Sequence, residues 1–330
     1  MSIYWVTLLV SGISAFVLLR VLIPRLVQAG IVGKDMNKPG QPPVAEMGGL
    51  GLVGGFGVGV LTLIALRTFF KIEALATVST TELLAVLTTV LTIALIGLID
   101  DLIGVHQGWK AIIPALATVP LIVLEVGQHT LLLPFIGAVN FGVFYPLVLV
   151  PVGVTGAANA FNMLAGFNGL EAGLGAVAVG ALAIIAAHLG EVTSLTLLLA
   201  ALGALLATLF FNWYPAKVFI GDVGTLTIGT VIAAAVIVGN FEWAGLMVIL
   251  PHVLDFLLKA RKRFPSTGWW GEYRDGKLYC PAHGPVGLAQ LILKLTGGVH
   301  ERTLVLILIG LEALCALGAI WFYLGSRLAP

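Results

Sequence analysis

Two adjacent carboxylates, Asp100 and Asp101, close an apolar run that begins at Leu83. A charge at the edge of a hydrocarbon layer is costly, so an acid there marks a functional site by default. Adjacent acids also repel each other, and at the C-terminal end of a helix the macrodipole disfavours both. The pair therefore asks for a cation, Mg²⁺ or a lysine, and Lys110 follows closely. A second candidate segment is Asn159-Ala160-Phe161-Asn162-Met163-Leu164-Ala165-Gly166-Phe167-Asn168-Gly169-Leu170-Glu171. Asn159 and Asn162 are spaced to share a helix face, and Asn168-Gly169 marks a turn. Amide oxygens are hard ligands for Mg²⁺ and hydrogen-bonding partners for a base or sugar. A third carboxylate, Asp222, lies between glycines in Phe219-Ile220-Gly221-Asp222-Val223-Gly224. As an N-cap it would be ordinary. In company with Asp100 and Asp101 it points to a divalent cation, since Mg²⁺ takes one or two carboxylates, keeps water and binds substrate phosphate. Glu46 and Asp255 are weaker candidates.

The elements that must bring these groups together are membrane helices. A mean hydropathy of +1.07 with 10% charged residues excludes an ordinary soluble domain. Several apolar runs reach the roughly 20 residues that cross a bilayer as helix. The expectation is an all-α, polytopic membrane protein with about ten spans, near 3–23, 49–66, 83–100, 111–126, 139–158, 172–189, 193–211, 225–239, 244–258 and 303–325. Met1–Leu22 reads as a first membrane helix, because no small-residue cleavage site follows it. If the spans alternate, 14 of the 17 Lys and Arg fall on one side, leaving Arg67, Lys71 and Arg327 on the other. The positive-inside rule puts the rich side in the cytoplasm and both termini outside. The acids, the amide segment, His283 and His300 fall on that same side, which Lys and Arg alone define. One cytoplasmic site at the membrane surface is the economical reading, within a single domain, 1–330, bearing a cytoplasmic arm at about 259–302.

Other features have plainer readings. Gly49-Leu50-Gly51-Leu52-Val53-Gly54 matches G-x-G-x-x-G but opens an apolar run rather than joining a strand to a helix, so close helix packing is expected instead of nucleotide binding. The run Lys259-Ala260-Arg261-Lys262-Arg263 reads as a topology anchor beside anionic lipid. Cys280 falls in a loop and Cys315 inside the last span, so no structural disulfide is expected, and neither has metal-site spacing. Nucleic acid is not an expected partner; membrane lipid is.

Acids, Mg²⁺, a lysine and an amide loop suit phosphoryl-type transfer, in which catalysis is mostly positioning and charge stabilisation. At a headgroup plane, one substrate would be a lipid and the other water-soluble. Over nearly the whole chain the residues resemble the polyprenyl-phosphate N-acetylhexosamine-1-phosphate transferases, nearest to the archaeal and eukaryotic dolichyl-phosphate branch. The likeness is carried by Asp35-Met36-Asn37-Lys38-Pro39-Gly40, Pro43-Val44-Ala45-Glu46-Met47-Gly48, Gly97-Leu98-Ile99-Asp100-Asp101, the 159–171 segment, and Asn212-Trp213-Tyr214-Pro215 through Gly221-Asp222. Tyr279-Cys280-Pro281-Ala282-His283 and Gly297-Gly298-Val299-His300-Glu301 extend it into the arm.

The resemblance implies that UDP-N-acetylglucosamine and a polyprenyl or dolichyl phosphate give a polyprenyl-diphosphate sugar and UMP. It assigns Mg²⁺, with Mn²⁺ as the alternative ion, to Asp222 and Asn162, and the pyrophosphate to Lys110. Asp100 would deprotonate or orient the lipid phosphate, with Asp101 supporting metal or lysine. Asn168 and Phe219 would hold uracil, Glu46 would face the ribose, and His283 would lie over the sugar or diphosphate. The chain has Ala282 and Gly284 where eukaryotic members carry arginines, so Arg302 or Arg274 would compensate. A single histidine at 283 disfavours the muramyl-pentapeptide branch. A homodimer is left open. The alternatives are the same chemistry with another UDP-N-acetylhexosamine and, more remotely, a transporter.

Overall fold

The computed structural model describes residues 3–133, 136–265 and 268–325; Arg327, counted above, lies outside them. With no water in the hydrocarbon core to satisfy backbone polar groups, long apolar stretches must form helices. Among the described residues eight continuous apolar helices do so: α1 (Tyr4–Gln28), α2 (Gly49–Phe70), α3 (Thr80–Ile103), Tyr145–Met163, α7 (Leu170–Leu189), α8 (Val192–Asn212), α9 (Gly221–Val238) and α13 (Glu301–Gly325). The fourth of these begins as a π-helical turn and continues as α6 (Val150–Met163).

The expectation of ten similar spans needs two corrections. The segment expected at 244–258 is a bent pair, α10 (Glu242–Val248) and α11 (Leu250–Arg261), meeting at 62°. Pro251 stands in the first turn of α11, where its missing N–H does no harm but its ring stops a straight helix from running through. The segment expected at 111–126 is instead the shorter Gln107–Val123, made of α4 (Gln107–Ile112), a 3₁₀ stretch Ile113–Thr118 and α5 (Val119–Val123). Pro114 and Pro120 interrupt its hydrogen-bond ladder. The larger 3₁₀ rise stretches this piece to about 28 Å, close to the hydrocarbon thickness.

α9 is the axis of the bundle, with 89% of its apolar window buried, against 22% for α1 and 33% for α13. It packs on α2, α3, α6, α7, α8 and α10. Trp5, Leu9, Ile13 and Val17 on α1, and Leu314, Leu317 and Trp321 on α13, face outward, as a lipid-facing perimeter requires. Gly51, Gly55 and Gly59 of α2 lie against Leu19, Ala15 and Ser11 of α1, so the glycine motif serves helix packing.

Short hairpins decorate the bundle. β1 (Val32–Lys34) pairs with β2 (Pro43–Ala45), and β3 (Thr130–Leu133) with β4 (Gly137–Asn140). Between α11 and α13 the arm consists of a hairpin, β5 (Glu272–Arg274) with β6 (Lys277–Tyr279), followed by α12 (Leu288–Thr296).

The contact of α3 with α9 carries the site, and glycine makes it possible. A Cβ at Gly97 would lie 2.6 Å from the Val223 backbone and 2.7 Å from the Asp222 carbonyl carbon. Gly97→Ala is therefore expected to destabilise the protein by about 1–3 kcal/mol, the usual cost of overpacking. It should lower activity as well, because the two helix ends that part are those bearing the acids. Thermal unfolding of the detergent-solubilised variant checks this; an unchanged transition would refute the close contact.

Candidate active site

The acids that close α3 meet the first turn of α9. Asp101 accepts the backbone N–H groups of Asp222 at 2.8 Å and Val223 at 3.1 Å. These are free donors at a helix start, where negative charge is also favoured. Asp101 thus caps α9 from a neighbouring helix, and Asp222, placed in the first turn, is not the N-cap. Gly221 allows this, since its φ is +71° and a Cβ there would lie 2.5 Å from Asp101 Oδ2. The resemblance gave Asp101 to metal or lysine; in the structure its oxygens serve the α9 backbone.

Asp100 turns the other way. Its Oδ1 accepts the Val105 N–H at 2.7 Å, closing the end of α3, and its Oδ2 pairs with Lys110. Lys110 Nζ also donates to Asp222 Oδ2 at 3.1 Å. One ammonium therefore holds carboxylates from two helices. Asp100 is 6% exposed, and the Lys110 side chain 34%, so the cluster is open to a ligand from the lysine side.

Register places Asn162 at the same end of the bundle as this cluster. Ala158 of α6 packs with Leu226 of α9, and a Cβ at Gly229 would meet the Ala157 carbonyl. One turn onward on α6 is Asn162; one turn back on α9 is Asp222. Both steps lead to the same end of the bundle. Asn162 is half-buried, whereas Asn159 returns its Nδ2 to the Thr155 carbonyl at 2.9 Å.

Among the described residues no three His, Cys, Asp or Glu side chains are grouped to hold a metal. A carboxylate beside an open lysine, with an asparagine at the same end of the bundle, nevertheless suits an ion that completes its shell with water and phosphate oxygens, the habit of Mg²⁺.

Behind α9 the chain from Val218 to Ile220 is tied to the segment preceding α2. Phe219 N–H donates to Ala45 O, while Gly48 N–H and Gly49 N–H donate to Phe219 O and Ile220 O, each at 2.8 Å. Phe219 is half-buried and follows Val218, which bridges to Ala45, the last residue of β2 and the neighbour of Glu46. Burial pushes the Glu46 carboxyl above its ordinary value, and the charge of Asp101 adds to the push.

A second polar node surrounds the amide loop. Asn168 is 2% exposed, and its amide is already engaged: Nδ2 donates to Asp35 Oδ2 at 3.1 Å, and Oδ1 accepts Ala216 N–H at 2.8 Å and Lys38 Nζ at 3.4 Å. Glu301 Oε1 accepts the Asn168 N–H at 2.8 Å, and Glu301 and Asp35 both pair with Lys38. Glu171 accepts the Gly166 N–H at 2.5 Å, Asn37 donates to the Gly166 carbonyl at 2.9 Å, and Asn212 accepts the Gly169 N–H at 3.1 Å. Lys38 and Arg302 lie on the Tyr214 ring, at 4.2 and 4.4 Å from its centroid.

The structure thus unites Asp100, Asp101, Lys110, Asp222 and Glu46, places Asn162 at the same end of the bundle by register, and puts Asn168 in a neighbouring node with Arg302 at its edge. His283 is exposed on the arm, its Nδ1 2.9 Å from Gly284 O, and Arg274 is paired with Glu272. The weight of Glu301 and Lys38 was not read from the sequence beyond the motifs containing them; an acid opening the final span, after Gly297-Gly298, was the available signal. Lys259, read as a lipid-facing anchor, is 8% exposed and pairs with Asp255.

A membrane bundle with paired acids and a lysine at one end of its central helix is suited to handling phosphate at a membrane surface. The profile of Glycosyl transferase family 4 matches residues 83–240. Proteins of Saccharolobus solfataricus and Sulfolobus acidocaldarius, provisionally named UDP-N-acetylglucosamine–dolichyl-phosphate N-acetylglucosaminephosphotransferases, are 37% and 36% identical to it. The first match covers 95% of this chain and 94% of the relative, the second 89% and 88%. The Dictyostelium discoideum protein of the same name is 28% identical, over 96% of this chain and 88% of its own. The chain belongs to glycosyl transferase family 4.

Proposed function

We propose that this protein transfers N-acetylglucosamine 1-phosphate from UDP-N-acetylglucosamine to a polyprenyl, dolichyl-type phosphate, releasing UMP. The observation that carries the reading is Lys110 shared between Asp100 and Asp222, in a chain whose full-length relatives bear the name of this activity. An oxygen of the lipid phosphate attacks the phosphorus bonded to the sugar. A new P–O bond forms there as the bond to UMP breaks, and UMP leaves with the electron pair. Asp100, held as a carboxylate by Lys110 and Val105 N–H, orients the lipid phosphate and takes any proton it carries. Lys110 offsets charge on the diphosphate.

Asp222 and Asn162 are the residues we assign to Mg²⁺, which when bound would neutralise diphosphate charge. Phe219 offers a face to uracil and Glu46 faces the ribose. Asn168 reaches uracil by exchanging its 3.4 Å contact with Lys38, the longest bond it makes. His283 and Arg302 are assigned to the sugar and diphosphate. An apolar cavity of about 170 Å³ between α6, α9 and α10, lined by Leu149, Ala157, Val236 and Ile249, offers room to part of the prenyl chain. The basic bias of the loops supports a cytoplasmic active face with both termini outside; the chain is read as one transferase domain with its arm at 259–302.

The test is purified protein with Mg²⁺, polyprenyl phosphate and a panel of UDP-sugars, scored by UMP. UDP-N-acetylglucosamine should be used and UDP-N-acetylmuramoyl-pentapeptide refused, because the Pro281-Ala282-His283 stretch of the arm carries a single histidine. Use of the peptide-bearing donor alone would overturn the sugar assignment, and absence of UMP with every donor would overturn the reaction.

A further inference from the structure

The corner where α6 ends is fastened from the arm side by a pair of charges that the reaction does not use. Lys259, on the last turn of α11, donates its Nζ to the main-chain oxygen of Met163, the residue after Asn162 and the last of α6. The same Nζ lies 2.9 Å from Asp255 Oδ2, one turn back on α11. Asp255 is 1% exposed, and its Oδ1 accepts the N–H of Leu288, the first residue of α12, at 2.7 Å. A Cβ at Gly287 would lie 2.5 Å from that oxygen, so the arm helix sits directly on the carboxylate. A continuous chain of polar contacts therefore runs from α12 through Asp255 and Lys259 to the end of α6.

The arm reaches the same loop a second time. Trp269 closes on Gly166, where a Cβ would lie 2.1 Å from the indole ring. Gln290 of α12 fixes the tryptophan's neighbours, donating to Gly268 O at 2.7 Å and Trp270 O at 2.8 Å. α11 is in turn anchored to α6 by the His252 ring stacked on Phe161, with centroids 3.8 Å apart. Stability alone does not demand an ion pair at this place, since a buried pair is often replaced by apolar residues at no loss. What an apolar pair cannot supply is directional bonding to a helix start on one side and a helix end on the other.

We propose that Asp255 and Lys259 are positioning residues that couple the seating of α12 to the placement of Asn162 and the loop after it, so that the site is complete only while the arm rests on α11. The inference rests on the transferase reading above for the meaning of Asn162. A displacement of about 1 Å at a reacting group can cost about 10²-fold, which sets the scale of the effect. Lys259→Met keeps the side chain's length without its charge; it is expected to lower kcat by about 10- to 100-fold while UMP affinity changes by less than about twofold. Lys259→Arg should recover most of the rate. Trypsin should cut the arm at Arg274 or Lys277 several-fold faster in Lys259→Met and in Asp255→Ala than in the wild type or Lys259→Arg. The double variant Asp255→Ala/Lys259→Met should lose no more than the worse single, because both break one connection.

Asp255→Asn keeps an acceptor for Leu288 and provides the milder test if Lys259→Met fails to fold. Additive losses, or an unchanged kcat with unchanged arm cleavage, would overturn the proposal. Arm cleavage and UMP binding are read without any sugar donor, so a wild type that releases no UMP would sink the transferase reading while these measurements still judge the connection.

Discussion

Asp222→Ala is expected to lower turnover by about 10³-fold or more, the scale seen when a charge-stabilising group is removed from a phosphoryl-transfer site. Asp222 is the carboxylate of the proposed metal pair; it shares Lys110 with Asp100 at 3.1 Å, whereas Asp101 is spent on the α9 backbone and Asp100 also accepts Val105 N–H. Removing it leaves Asn162 alone among the assigned ligands, and a neutral amide compensates little of a divalent charge. The start of α9 should survive, because Asp101 rather than Asp222 accepts its free N–H groups. Unfolding of the variant should thus remain near that of the wild type, and the residual rate should respond only weakly to Mg²⁺ concentration. Asn162→Ala, which removes a neutral ligand, should be severe but milder. Full activity of Asp222→Ala at ordinary Mg²⁺ would rule out the metal assignment.

The membrane helices were legible because a bilayer leaves an apolar stretch few choices, so run length and composition suffice. Where the reading failed, proline was the cause: Pro251 bends the α10–α11 pair, and Pro114 and Pro120 break up the segment after Lys110. Hydropathy averages over such residues, although each removes a backbone donor. That Asp100, Asp101 and Asp222 would gather was legible because ionisable residues at span ends are expensive, and the basic-residue bias leads one to expect them on one face.

Which acid does what could not be read. Asp100 and Asp101 are neighbours in sequence, but successive positions on a helix point in different directions. One therefore meets Lys110 and the other the start of α9, and only the packing of α3 on α9 decides between them. The node around Asn168 was equally hidden. Lys38 and Glu301 are 263 residues apart, and no local pattern announces that they share a site. Lys259 was misread because a basic run after a span usually lies at the headgroups. Its neighbours Arg261, Lys262 and Arg263 are exposed, while Lys259 is turned inward by the helix period.

Asp100→Asn is expected to lower kcat by about 10²-fold or more while leaving the affinity for UMP within about twofold, because general-base and orienting groups act on the reacting step. The carboxylate pairs with Lys110 and accepts Val105 N–H, and among the described residues none of its hydrogen bonds or ion pairs goes to Phe219, Asn168 or Glu46, where the nucleoside is assigned. Lys110→Met should behave differently. It removes the cation between Asp100 and Asp222 and leaves two carboxylates facing each other, an arrangement costly at low permittivity. The variant should lose kcat and also bind UDP-sugar more weakly, since the diphosphate loses its ammonium partner. Combined in one protein, the two substitutions should cost less than the product of the single losses, as residues that act as a unit do. Initial-rate kinetics with both substrates varied, together with UMP binding by calorimetry, separates these effects. Direct attack by the lipid phosphate requires both substrates to be bound at once, so the rate patterns should intersect. A phospho-sugar trapped on Asp100, with parallel rate patterns, would establish a double displacement and make this carboxylate a nucleophile rather than an orienting base.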